Sequence, residues 1–210
     1  MVYEFIRDPE EIYRQSFAII RSEACLDGLS PIMEKLAVRI AHSCGMVDVA
    51  RNLKFSKGAA EIGRATLKKG TNIFVDSEMV AIGINRHRLP VGIKVICTLN
   101  QPQVPGLAEE KAITRSAAAV ELWVKNLDGA IVVIGNAPTA LFYLLELLNA
   151  GAPKPSLIIG LPVGFVGAAE SKDALVKNSY SVPFITLPGR LGGSAMASAS
   201  INALAEISNG

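Results

Sequence analysis

AIVVIGNAPTALFYLLELLNA, residues 130–150, is the most apolar stretch of the chain, and its reading decides the fold. A membrane span needs about 20 uninterrupted apolar residues. Asn136, Pro138, Thr139 and Glu146 break this stretch too early for that. It divides instead into a β-branched run over 130–135, a Gly-Asn turn, and a helical pattern over 139–149. That strand, turn and helix unit is then found on either side. Short apolar runs at 73–75, 91–99, 157–161 and 183–187 have the length of buried parallel strands. Helical patterns fall between or after them at 77–84, 108–126, 168–178 and 194–207. Alternation of this kind predicts an α/β fold with a doubly wound, mostly parallel sheet of about five strands, because right-handed crossovers place helices on both faces.

The first seventy residues read differently, as an N-terminal helical cap. Asp8, Pro9 and Glu11 form a capping pattern that launches a helix through Ile12, Ser16, Ile19 and Ile20 to about Cys25. Ser30 and Pro31 open a second, with apolar Ile32, Leu36 and Ile40 in register and Gly45 as its left-handed stop. Ser56 is read as the cap of a third, running through Ala60, Ile62 and Leu67 to Gly70. Residues 1–210 are expected to form one domain, with 1–70 as the cap and 71–210 as the alternating part. The segment 100–106, carrying Pro102 and Pro105, is the longest candidate surface loop.

Composition narrows the function classes. Half of the 210 residues are hydrophobic, enough for a substantial core. With 21 basic against 19 acidic residues, the net charge of +2 carries no nucleic-acid or membrane signature, so anion binding must be local. Cys25, Cys44 and Cys97 are odd in number and lack CxxC spacing, which fits reduced thiols in a cytoplasmic protein and argues against zinc. The opening MVYEFIRDPEE lacks a basic-then-apolar leader, so no secretion signal is expected. High mean hydropathy with few charges suggests that another subunit covers part of the surface.

His42 is one of two histidines and stands in RIAHSCG (39–45), in the last turn of the second helix. Arg39, three residues earlier, leaves the same helix face. A cation beside a titratable imidazole suits an anionic substrate that must be both held and protonated. The competing reading is that His42 stabilises its own helix C-terminus, a contribution of roughly 0.3 to 1 kcal/mol. The helix end would raise its pKa and Arg39 would lower it. His87, between Arg86 and Arg88, makes a poor general acid and is read as a surface or interface residue. Cys44, two positions from His42, points away from it on a helix.

Ligands of an open parallel sheet collect beyond the carboxyl ends of its strands. Four loops there stand out: VDSEM, where Asp76 or Ser77 caps the next helix; IGNAPTAL; GLPVGFVGAAESK (160–172); and LPGRLGGSAMASA (187–199). Their glycines, among them Gly164, Gly192 and Gly193, let backbone N–H groups approach carboxylates or phosphates. No Walker pattern, GxGxxG fingerprint or GxSxG elbow is present, so nucleotide binding and serine hydrolysis lack support.

Taken in order, SFAIIRSE (16–23), RIAHSCGMVD (39–48), VDSEMVAIGI (75–84), NAPTAL (136–141), LPVGFVGAAESK (161–172) and GGSAMASASINAL (192–204) resemble the precorrin-8X and cobalt-precorrin-8 methylmutases of cobalamin biosynthesis. The resemblance spans nearly the whole chain. It implies an isomerase that moves a methyl group between adjacent carbons of a corrin-ring precursor by a sigmatropic shift, with no added cofactor, as a homodimer. It also implies His42 as the catalytic histidine and Ser16, Arg39 and Arg115 as substrate-binding positions. Such a tetrapyrrole is a flat apolar macrocycle edged with carboxylates. An apolar cleft would hold its face, arginines and the amides of Gly164, Gly192 and Gly193 its rim, and His42 a ring nitrogen. A non-catalytic corrinoid carrier and a nucleotide-dependent oxidoreductase are the alternatives.

Overall fold

The computed structural model describes residues 2–208, with side chains to residue 206. The chain runs α1 (Pro9–Glu23), α2 (Pro31–Cys44), α3 (Val49–Asn52), β1 (Lys54–Phe55), α4 (Ala59–Lys68), β2 (Ile73–Val75), α5 (Glu78–Gly83) and β3 (Val95–Cys97). It continues as α6 (Val104–Glu110), α7 (Arg115–Glu121), β4 (Ile131–Ile134), α8 (Pro138–Asn149), β5 (Leu157–Gly160), α9 (Ala168–Lys177), β6 (Phe184–Thr186) and α10 (Ser194–Ser208). Short 3-10 turns stand at Arg86–Arg88 and Val124–Asn126.

Among the described residues the strands form one sheet, in the order β1-β6-β5-β4-β2-β3. All neighbours are parallel except β1 and β6. The chain moves outward from β2 to β3 and then returns to place β4 on the other side of β2. The strand order therefore reverses between β2 and β4, where such sheets open a crevice. Side chains alternate between faces with period 2. Ile73, Val75, Ile131, Val133, Leu157 and Ile159 enter a core shared with α2, α4, α5 and α10. Phe74, Val132, Ile134 and Ile158 enter the opposite core with Trp123 and the leucines of α8. Burial on both faces explains why these strands read as unbroken apolar runs.

The expected α/β class and mostly parallel sheet are present, with several local corrections. The sheet has six strands, not about five. The sixth is β1, two residues inside the segment read as helical. Ser56 does not cap a helix: its Oγ accepts from the Phe184 amide at 2.9 Å, extending the β1–β6 edge, and α4 begins after Gly58. The single helix expected over 108–126 is two helices and a turn, broken where Ala112 takes φ 52° and Thr114 caps α7 by accepting from Ala117 N at 3.2 Å. Part of the expected loop at 100–106 is the start of α6, with Pro105 in its first turn. On α1 the inward face carries Ser16, Phe17 and Ile20, Tyr13 meets the His42 ring while remaining exposed, and Ile12 and Ile19 are exposed.

Candidate functional site

The second helix forms as its caps dictate. Ser30 Oγ accepts from Met33 N at 3.3 Å, and Gly45 ends the helix at φ 71°. Met33, Leu36, Ala37, Ile40 and Ala41 are buried, which leaves Arg39 and His42 on the half-buried side toward α1 and α10. His42 Nδ1 and Ser16 Oγ of α1 lie 2.8 Å apart. Tyr13 and Phe17, one turn apart on α1, flank the imidazole with ring centroids 5.7 and 5.2 Å away. The Arg39 guanidinium lies over the same two rings, at 5.8 and 5.2 Å. Sequence reasoning missed both aromatics, although their i, i+4 spacing around Ser16 was a readable signal.

Arg39 and His42 line one cavity of about 430 Å³. Its other walls come from Met79, Ile82 and Gly83 of α5 and from Ser194, Ser198 and Asn202 among residues of α10. The close approach of α5 to α10 requires Gly83, where a Cβ would fall 2.5 Å from Ser198 Oγ. The walls are mostly apolar. Beside the cavity, Glu206 of α10 pairs with both Arg39 and Arg88. Arg88 thus meets Arg39 at a shared carboxylate, from the basic turn whose His87 reads in sequence as a surface or interface residue.

Burial holds the His42 pKa below its ordinary value, and the Arg39 cation beside it adds to that effect. The expected upward pull of the helix C-terminus does not prevail against burial and the Arg39 charge. The shift favours the neutral imidazole. Cys44 is no partner for it. Its thiol donates to Ile40 O at 3.3 Å and burial raises its pKa.

At the crevice between β2 and β4 the chain supplies its own carboxyl group, whose pKa burial raises against the pull of its backbone donors. Asp76, 2% exposed, accepts from Gly135 N at 2.9 Å, Asn136 N at 2.9 Å and Ala137 N at 2.7 Å. Ser77, next to it, caps α5. Of the two capping candidates Ser77 takes that role, and Asp76 fills the place where a nucleotide phosphate would meet the start of α8.

The glycine loops after β5 and β6 are joined to one another. Gly164 N donates to Arg190 O at 3.3 Å and Gly193 N to Leu161 O at 2.8 Å. A Cβ on Gly192 would collide with the carbonyl oxygens of Leu161 and Pro162. Fully buried Lys172 adds a third tie, its Nζ donating to Leu191 O at 2.6 Å. Burial pushes its pKa down to about 8. Gly193 leads directly into α10 and so into the cavity wall, while Gly164 and Gly192 stand farther back in these loops. Arg115 is exposed at the start of α7 and donates to Leu99 O and Asn100 Oδ1, both at 3.2 Å. The structure thus brings Ser16, Arg39 and His42 together and leaves Arg115, Gly164, Gly192 and Gly193 outside their immediate contacts. Among the described residues no three His, Cys, Asp or Glu side chains converge as a metal site would require.

Comparison with known proteins completes the description. The family model described as precorrin-8X methylmutase matches residues 11–207. A precorrin-8X methylmutase of Pseudomonas aeruginosa is 60% identical over 202 residues, covering 96% of this chain and 97% of its own. A cobalt-precorrin-8 methylmutase of Priestia megaterium is 36% identical over 197 residues, covering 93% and 87%. The crystal structure of a precorrin-8x methyl mutase from Thermus thermophilus superimposes with TM-score 0.85 at 39% identity, covering 95% of this chain and 96% of that one.

Proposed function

The chain belongs to the precorrin-8X methylmutase family, and from that premise we propose that His42 acts directly on the corrin ring in the isomerisation of precorrin-8X to hydrogenobyrinate. The protein is an isomerase of cobalamin biosynthesis. Membership replaces the carrier reading. It also replaces the oxidoreductase reading, which the self-filled crevice at Asp76 opposes independently.

The contact between Ser16 Oγ and His42 Nδ1 carries the proposal. With the serine hydroxyl as donor, Nδ1 is the acceptor and the imidazole proton resides on Nε2. That proton then serves a ring nitrogen of a macrocycle lying in the apolar cavity. In a methyl shift one carbon–methyl bond breaks as the neighbouring one forms, so nothing is gained or lost overall. The enzyme's task is to stabilise charge as the conjugated system redistributes. A share of the Nε2 proton does so, and the neutral imidazole needs no external acid. General acid catalysis of this type typically contributes about 10² to 10⁴-fold. Arg39 holds a peripheral carboxylate. Gly193 opens the α10 wall, and Arg115, Gly164 and Gly192 act on the rim, as donors or by shaping the loops.

Two finer readings follow. The greater identity to the Pseudomonas aeruginosa relative than to the Priestia megaterium one supports the metal-free substrate. Met79 and Ile82, 72% and 81% exposed at the cavity edge, support a homodimer whose second subunit covers them. Sedimentation gives the mass, and a monomer at micromolar concentration overturns the dimer. Anaerobic assay of wild type and His42→Ala with precorrin-8X and its cobalt form tests the rest. The variant should fold and bind corrin without forming the product chromophore. Full turnover by it removes the role of the imidazole, and preference for the cobalt substrate reverses the metal-free assignment.

A further inference from the structure

We infer that Glu206 is an exchangeable stand-in for a carboxylate of the substrate, holding the arginines at the mouth of the His42 cavity until a peripheral carboxylate of the macrocycle takes its place. This rests on the reading that the cavity receives a carboxylated corrin.

The two partners of the ion pair are held very differently. The Arg39 side chain is only 12% exposed and is fixed by packing over Tyr13 and Phe17, contacts that do not involve Glu206. The Glu206 side chain is 36% exposed and reaches Arg39 and Arg88 from the end of α10. The cation is thus built in, and the anion is reachable from water. Position adds to the argument. Arg39 separates the His42 cavity from a smaller one of about 230 Å³ lined by Phe17, Arg21, Lys35 and Val38, and Glu206 is a wall of the smaller cavity. The carboxylate therefore stands beside the main cavity and not within it, against the one guanidinium that both share.

Exchange of one carboxylate for another keeps the number of ion pairs constant. The largely buried Arg39 guanidinium is never left without a counter-ion, the state that makes such groups costly. The same competition must weaken substrate and product binding, since each has to displace Glu206. Removing the competitor should therefore tighten binding, whereas removing a mere brace for Arg39 should loosen it.

The test is equilibrium titration of wild type and Glu206→Gln with hydrogenobyrinate, followed by visible absorbance, alongside a corrin whose peripheral carboxylates are amides. Glu206→Gln should bind hydrogenobyrinate about two- to fivefold more tightly, a range set by the modest strength of exposed ion pairs. It should bind the amidated corrin as wild type does. Unchanged or weaker binding of hydrogenobyrinate overturns the inference, as does equal tightening toward the amide. Should Glu206→Gln not fold, Glu206→Asp withdraws the carboxylate by one methylene and must shift affinity in the same direction, or the inference fails. Wild type that binds no corrin at all sinks the functional reading itself, a result distinct from any difference between the variants.

Discussion

Two regions of this molecule offer donors to a carboxylate, and they treat it in opposite ways. At the crevice between β2 and β4, three backbone amides close on Asp76, which is buried and comes from the adjoining strand end. At the mouth of the His42 cavity, two guanidiniums converge on Glu206, which faces water from a helix end. The first arrangement spends its anion site on architecture. The second keeps one near the surface, beside a titratable ring. The point where the strand order of a doubly wound sheet reverses is thus not always open to a ligand. Here that point is wired shut, and the open cavity lies between α2, α5 and α10.

Variants sharpen this contrast, because the closed region should answer in stability and the open one in turnover. His42→Ala should lower turnover about 10² to 10⁴-fold in a single-turnover absorbance assay. Its unfolding free energy should stay within about 1 kcal/mol of wild type, since the side chain is only half-buried. Asp76→Ala strips the acceptor from three amides in a buried site and should cost roughly 3 to 5 kcal/mol in denaturant unfolding. A loss under about 1 kcal/mol would mean that the crevice is not held by this carboxylate. Ser16→Ala should reduce turnover about tenfold, because it frees the His42 tautomer. A purely structural serine would instead lower stability and leave turnover per folded molecule intact.

The smallest effect is a shift in a pH profile. Burial and Arg39 both depress the His42 pKa, so the neutral ring is lost only as pH falls through a value below the ordinary imidazole range. Turnover that needs the neutral ring should fall along that limb. Arg39→Met removes the second cause and should move the limb to higher pH, read from kcat/KM because that profile reports the free enzyme; lost substrate affinity lowers the whole profile without moving the limb. Turnover that rises as pH falls would make the imidazolium the working species and break the tautomer argument.

The parts legible in sequence were those set by local rules. The strands declare themselves as apolar runs because both faces are buried, and α2 declares itself through Ser30, Pro31 and Gly45. The two-residue β1 has no period to detect and exists only because Ser56 and β6 hold it. The break at Ala112 was hidden because a non-glycine occupies the left-handed region there. Arg39 and His42 could be placed on one face by spacing alone. The pairing of Arg88 with a residue 118 positions away could not be, and neither could the flanking of His42 by Tyr13 and Phe17, which depends on how α1 docks.

The ties between the loops after β5 and β6 carry one more consequence. Gly164 to Arg190, Gly193 to Leu161 and Lys172 to Leu191 cross-link segments that belong to different strand–helix units. Opening one loop must therefore open the other. Their amides should exchange with deuterium as a single cooperative block, slowly for solvent-facing turns, and Lys172→Met should release both segments together.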